Sequence, residues 1–203
     1  DTTSGTVADV GVKLAAAGAT AKITSVTFKI DSDAGLVGDK AIQTTVALTT
    51  ATNSLVVATS TFTGPYGIGY SDAVGSIGVV IKTSTFDQLE KAIDIDAAAS
   101  KATIQGNTIT NSVLSGTGNA AMGAITIDNN DTITVEGNTI KGNKGFSIKV
   151  TADADNVTVS GNSLSGNTLG LRNTDSVNNL NAKLNWWGSS TGPTHATANS
   201  AGT

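Results

Sequence analysis

The chain has 203 residues, with 23 Gly, 2 Pro, no Cys, 14% charged and 4% aromatic residues, and a formal net charge of −4. That charge offers no basic patch to neutralise phosphates, which argues against nucleic acid and anionic membranes as partners, and no apolar run approaches the ~20 residues that span a bilayer. Without Cys there are no disulfides or thiolate metal sites, and the abundance of Thr, Val and Ile, with Gly and Asn for turns, favours strands over a helical bundle or a disordered tract.

Residues 1–20 read as an N-terminal cap or an exchangeable strand. Within "TVADVGVKLAAAGA" (6–19), Val7, Val10, Leu14 and Ala17 are spaced for an amphipathic capping helix, the preferred reading. Val10, Val12 and Leu14 also alternate as a strand would. From residue 21 a frame recurs. "AKITSVTFKI" (21–30) carries Val26 at its register mark, and "DSDAGLVGDK" (31–40) reads as an insertion. "SLVVATSTFTG" (54–64) marks Ser60, with Tyr66 and Tyr70 following near a corner, and "GVVIKTSTFDQ" (78–88) marks Ser84. "ATIQGNTITNS" (102–112) marks Asn107 and precedes a second insertion, "VLSGTGNAAM" (113–122). "ITVEGNTIKGN" (133–143), "VTVSGNSLSGN" (157–167) and "NLNAKLNWWGS" (179–189) mark Asn138, Asn162 and Asn185. Residues 194–203 are a polar tail holding His195, the single histidine, which is expected to be solvated.

From Ser60 to Asn185 the marks lie 24, 23, 31, 24 and 23 residues apart, and Val26 lies 34 before Ser60. The two long intervals are those that carry the insertions. A leucine-rich repeat has a similar period, but its Leu-x-x-Leu-x-Leu frame is missing. Each unit instead reads as three short strands. In the unit from Thr132, Ile133 and Val135 point inward, Gly137-Asn138 turns the chain, Ile140 points inward, and "GFSIKV" (145–150) supplies a third strand through Phe146 and Ile148. Gly106, Gly137 and Gly161 suit a left-handed corner, and Asn107, Asn138, Asn162 and Asn185, stacked ~4.8 Å apart, can hydrogen-bond into a ladder. The whole predicts an all-β solenoid of about seven coils over 21–193.

These Gly-Asn-x-apolar coils resemble the repeats of the pectin-lyase-like superfamily, and "LNWWGSSTGP" (184–193) is similar to a closing motif of bacterial and archaeal cell-surface β-helix proteins. The resemblance covers 21–193 and implies a right-handed, single-stranded parallel β-helix of a non-catalytic, extracellular type. Function is less specified, because the superfamily includes lyases, hydrolases, adhesins and surface-layer proteins.

Trp187 falls on the inward position of Ile140 and Leu164, where its ring is expected to close the C-terminal end, and Trp186 points outward. The insertions flank the face built from the third strands. There Ile93, Ile125, Ile148 and Leu171 align inward, so Asp94, Thr126, Lys149 and Arg172 form one outward row and Asp96, Asp128, Thr151 and Thr174 the next. The resemblance to pectate lyases makes Asp94, Asp96, Asp128, Lys149, Arg172 and Tyr70 a candidate glycan or calcium face. Alternating Asp and Lys on an exposed strand is also ordinary solubilising surface. No Ser-His-Asp grouping, phosphate loop or His-rich metal motif accompanies it. The expected function is therefore a secreted or cell-surface structural subunit that self-assembles head to tail or in a lattice, without catalysis or a required cofactor. A polysaccharide-binding adhesin is the alternative, and a calcium-dependent lyase the weaker one.

Overall fold

In the computed structural model, residues 10–15, 19–30, 39–44, 55–72, 77–97, 100–112, 123–128, 132–151 and 154–193 are described. In chain order the strands are β1 (Val10–Leu14), β2 (Ala21–Thr24) and β3 (Thr27–Lys29); β4 (Lys40–Thr44), β5 (Leu55–Ala58) and β6 (Thr61–Thr63); and β7 (Tyr66–Asp72), β8 (Ile77–Lys82) and β9 (Thr85–Asp87). They continue with β10 (Lys91–Ala97), β11 (Ser100–Gln105) and β12 (Thr108–Thr110); β13 (Gly123–Asp128), β14 (Thr132–Glu136) and β15 (Thr139–Lys141); and β16 (Phe146–Val150), β17 (Val157–Ser160) and β18 (Leu169–Asn173). Each of the first five triples is one turn of the chain, whereas β16 and β17 belong to the sixth turn and β18 opens the next. Strands pair only with their counterparts in neighbouring turns, giving three parallel sheets: β1-β4-β7-β10-β13-β16-β18, β2-β5-β8-β11-β14-β17 and β3-β6-β9-β12-β15. This is a parallel β-helix.

Val10–Leu14 corrects the expected capping helix. These residues are strand, with Val10, Val12 and Leu14 in register with Lys40, Ile42 and Thr44. The strand pattern prevails because β4 offers an edge whose backbone groups need partners, and alternation turns Val12 and Leu14 toward the core. Val7 and Ala17 lie outside the described residues, as do 31–38 and 113–122, most of the two insertions; β3–β4 and β12–β13 bracket them at one corner.

The core is a set of columns, one residue per rung. Ile42, Ile68, Ile93, Ile125, Ile148 and Leu171 stack along the first sheet, and Ile23, Val57, Ile81, Ile104, Val135 and Val159 along the second. Fully burying each of these side chains is worth roughly 1.5–3 kcal/mol. The narrow third sheet supplies bulk. Phe28, Phe62 and Phe86 stack with ring centroids 4.9 and 4.6 Å apart and planes within 7°. Ile109 and Ile140 continue the column. The first sheet makes room for it with small side chains: a Cβ on Gly67 would sit 3.1 Å from the Phe86 ring and 2.4 Å from the Ala92 carbonyl oxygen.

Asparagines hold the corner before the third sheet. The Asn107 side-chain amide donates to Asn138 Oδ1 (3.0 Å), Asn138 to Asn162 (2.9 Å) and Asn162 to Asn185 (3.0 Å). The backbone N–H of each donor residue bonds to the same oxygen. The amides also donate to the carbonyls of Ile81, Ile104, Val135 and Val159. Serines extend the ladder: Ser84 N–H donates to Asn107 Oδ1, Ser60 N–H to Ser84 Oγ and Val26 N–H to Ser60 Oγ. The preceding residue is left-handed in every rung, with φ of 64°, 63° and 64° at Gly106, Gly137 and Gly161.

A second ladder runs five residues further on. Asn143 donates to Asn167 Oδ1 at 2.8 Å, Ser112 N–H donates to Asn143 Oδ1 at 2.7 Å, and Asn167 reaches the Ile140 carbonyl at 2.7 Å.

Candidate functional site

The register of the first sheet places the anticipated outward rows. Asp94, Thr126, Lys149 and Arg172 are successive partners on β10, β13, β16 and β18, and Asp96 lies opposite Asp128. On the same sheet the Tyr70 backbone pairs in register with Thr44 and Ile95.

The charged groups on the face are engaged with near neighbours. Lys91 Nζ forms an ion pair with Asp94 Oδ2 at 2.9 Å. The other Asp94 oxygen is buried without a hydrogen-bond partner. Thr151 donates its hydroxyl to Asp128. The Arg172 guanidinium lies over the Phe146 ring, 5.3 Å from its centroid, and Lys40 Nζ lies 5.8 Å from the centroid of Tyr66. Phe146 departs from its expected inward place. Ser147 and Ile148 are consecutive buried residues, as are Ala92 and Ile93, so the strand bends at its start and leaves Phe146 half-buried under Arg172.

Burial, a hydrogen bond with Glu90 and the charges of Glu90 and Asp94 push the Tyr66 hydroxyl from 10.0 up to about 12. Sequence reasoning missed Lys91 as the partner of Asp94, because the pair spans three residues across the bend. Lys149 lies two rungs from Asp94, about 10 Å at ~4.8 Å per rung. The face thus collects charges of both signs without focusing them on one point.

The C-terminal end is the other candidate. Trp187 packs half-buried against the core cluster, and its ring is 3.4 Å from where a Cβ on Gly170 would be. An open cavity of about 680 Å³ adjoins it, lined by Leu164, Leu169, Leu171, Trp187 and Pro193 among others. Leu169 is 38% exposed, Trp186 52% and Leu184 89%. Leu184 has φ 61° where the three preceding rungs have glycine, so it carries both a backbone penalty and exposed apolar surface. Trp186 ends an outward hydroxyl row on the third sheet, in which Thr27, Thr61, Thr85, Thr108, Thr139 and Ser163 are successive partners. The Thr or Ser that directly follows every mark from Val26 to Asn162, as in "TFK", "TFT", "TIT" and "SLS", was the signal for that row.

Residues 16–188 match the family described as NosD, periplasmic copper-binding protein. No curated protein and no solved structure matches the chain.

Proposed function

The chain belongs to the NosD family, whose fold is the right-handed parallel β-helix, and from that premise we propose an extracytoplasmic structural protein, a β-solenoid subunit that assembles through its ends into a fibre or surface layer. The C-terminal rung carries the proposal. It combines the open cavity with exposed Leu169, Leu184 and Trp186, in a fold whose every interior rung is covered by the next. A left-handed, exposed leucine destabilises an isolated coil and is compensated if another surface covers it. The opposite end presents β1, β2 and β3 with one neighbour each, edges that a second copy can cover. The periplasmic description of the family supports a location outside the cytoplasm. The short-range pairing of Asp94 and Asp128 supports a scaffold over a calcium-dependent lyase.

Electron microscopy and sedimentation of the purified protein over a range of concentrations test the proposal. Fibres or a lattice are expected, shifted toward monomer by Leu169→Lys and Trp186→Ser. Monodisperse monomer at high concentration would overturn it. One observation favours an adhesin as a second reading: the exposed Trp186 ring at the end of an uncharged hydroxyl row suits stacking of a neutral sugar. Retention on neutral polysaccharide columns, lost in Trp186→Ala, would support it, and absence of retention would dismiss it.

A further inference from the structure

We infer that this β-helix does not carry the copper function for which its family is named. Copper(I) selects thiolate and thioether sulfur, and copper(II) favours imidazole. The chain has no Cys, a single Met (Met122) and a single His (His195). Both lie outside the described residues: Met122 immediately precedes Gly123, the first residue of β13, and His195 follows Pro193 by two positions in the sequence. The described residues therefore contribute no imidazole, thiol or thioether, and among them no group of three or more His, Cys, Asp or Glu is placed to hold a metal ion.

Oxygen donors do not substitute, because those repeated by the coil are already used. The first-ladder oxygens of Asn107, Asn138, Asn162 and Asn185 each accept from the preceding rung. Among the outward carboxylates, Asp87 accepts from Thr110 and Asn111, Asp128 accepts from Thr151, and Asp94 holds Lys91 through one oxygen while the other is buried. A copper ion at the ladder oxygens, Asp87 or Asp128 would have to displace structural hydrogen bonds, and Asp94 offers it a single hard carboxylate with no further protein ligand grouped around it among the described residues. The rung period and stacked core columns that build this fold are independent of any metal ligand, so it stands without the soft donors.

The test is a titration of the wild-type protein with copper(I), under anaerobic conditions and against a competing chelator, and separately with copper(II). Metal content after desalting and the thermal midpoint are the readouts. Because assembly could bring several His195 side chains together, dilute and concentrated protein are both titrated. The expected result is no stoichiometric copper after desalting and an unchanged midpoint in all four cases. One retained copper per chain, or a raised midpoint with either ion at either concentration, overturns the inference. The outcome is independent of assembly, which is read by sedimentation.

Discussion

Replacing Asn138 with alanine tests what the ladder contributes. Asn138 Oδ1 accepts from the Asn107 backbone N–H at 2.9 Å and from its amide at 3.0 Å, while Asn138 Nδ2 donates to the Ile104 carbonyl and to Asn162 Oδ1, both at 2.9 Å. Alanine removes all four and leaves two donors on Asn107 without their partner in a fully buried setting. A buried group left unsatisfied costs about 1–3 kcal/mol, so three such groups, the Ile104 carbonyl included, cost roughly 3–9 kcal/mol. Ser60→Ala removes only one acceptor, for Val26 N–H at 3.2 Å, and one donor, to the Ala58 carbonyl at 2.9 Å, and should cost about 1–2 kcal/mol. Exposed Thr139→Ala is the control, within about 0.5 kcal/mol of wild type. Urea unfolding followed by circular dichroism measures all three, read as midpoint shifts at constant m. A loss at Asn138 within about 1 kcal/mol of the control, or smaller than the loss at Ser60, would refute the argument.

Three further outcomes follow from local geometry. Gly67→Ala drives a Cβ to 2.4 Å from the Ala92 carbonyl oxygen and 3.1 Å from the Phe86 ring, whereas at Gly137, φ 63°, a Cβ meets nothing within 4 Å. Thermal melts should show Gly67→Ala as the more damaging, by about 1–3 kcal/mol for overpacking added to any backbone effect, against about 1 kcal/mol of conformational strain at Gly137. Leu184→Gly relieves a positive φ at an exposed site and should stabilise the monomer by about 0.5–1 kcal/mol in urea melts while weakening fibre formation. Tyr66 holds its proton up to about 12, above the unfolded value of about 10, so its stabilisation is fully present below about pH 10 and lost as the pH rises through about 12. Melts recorded across that window should show an alkaline decline that Tyr66→Phe diminishes, and an identical decline in the variant would sink the assignment.

Much of the fold was legible because a solenoid writes its register repeatedly. Asn107, Asn138 and Asn162 each follow a glycine, and the rows Ile93-Ile125-Ile148-Leu171 and Asp94-Thr126-Lys149-Arg172 follow from counting along one rung. What failed depended on neighbours that counting does not show. Val10 and Leu14 fit a helix and a strand equally by spacing, and the edge of β4, beyond an insertion, decided between them. The second ladder was obscured because Pro65, Leu89 and Ser112 occupy its place in earlier rungs, although "GNTIKGN" and "GNSLSGN" display both asparagines. Along the candidate face, counting gave the strand register but not the partnerships, since the bend at Ala92-Ile93 brings Lys91 to Asp94 and Thr126 is buried.

The two ladders together act as a ruler. From Ser60 to Pro65, Ser84 to Leu89, Asn107 to Ser112, Asn138 to Asn143 and Asn162 to Asn167 the span is five residues every time, whereas the distance from the second position to the next strand ranges from one residue at Pro65–Tyr66 to eleven at Ser112–Gly123. A residue added inside the ruler would throw one ladder out of register with the rungs on both sides. One added just after it lengthens a loop. Growth and shrinkage of such a protein over evolution should therefore proceed by gaining or losing whole turns, or by lengthening corners outside the ruler, either this one or the one between the first and second sheets, which runs from three residues at Ala97–Ser100 to eleven at Thr44–Leu55.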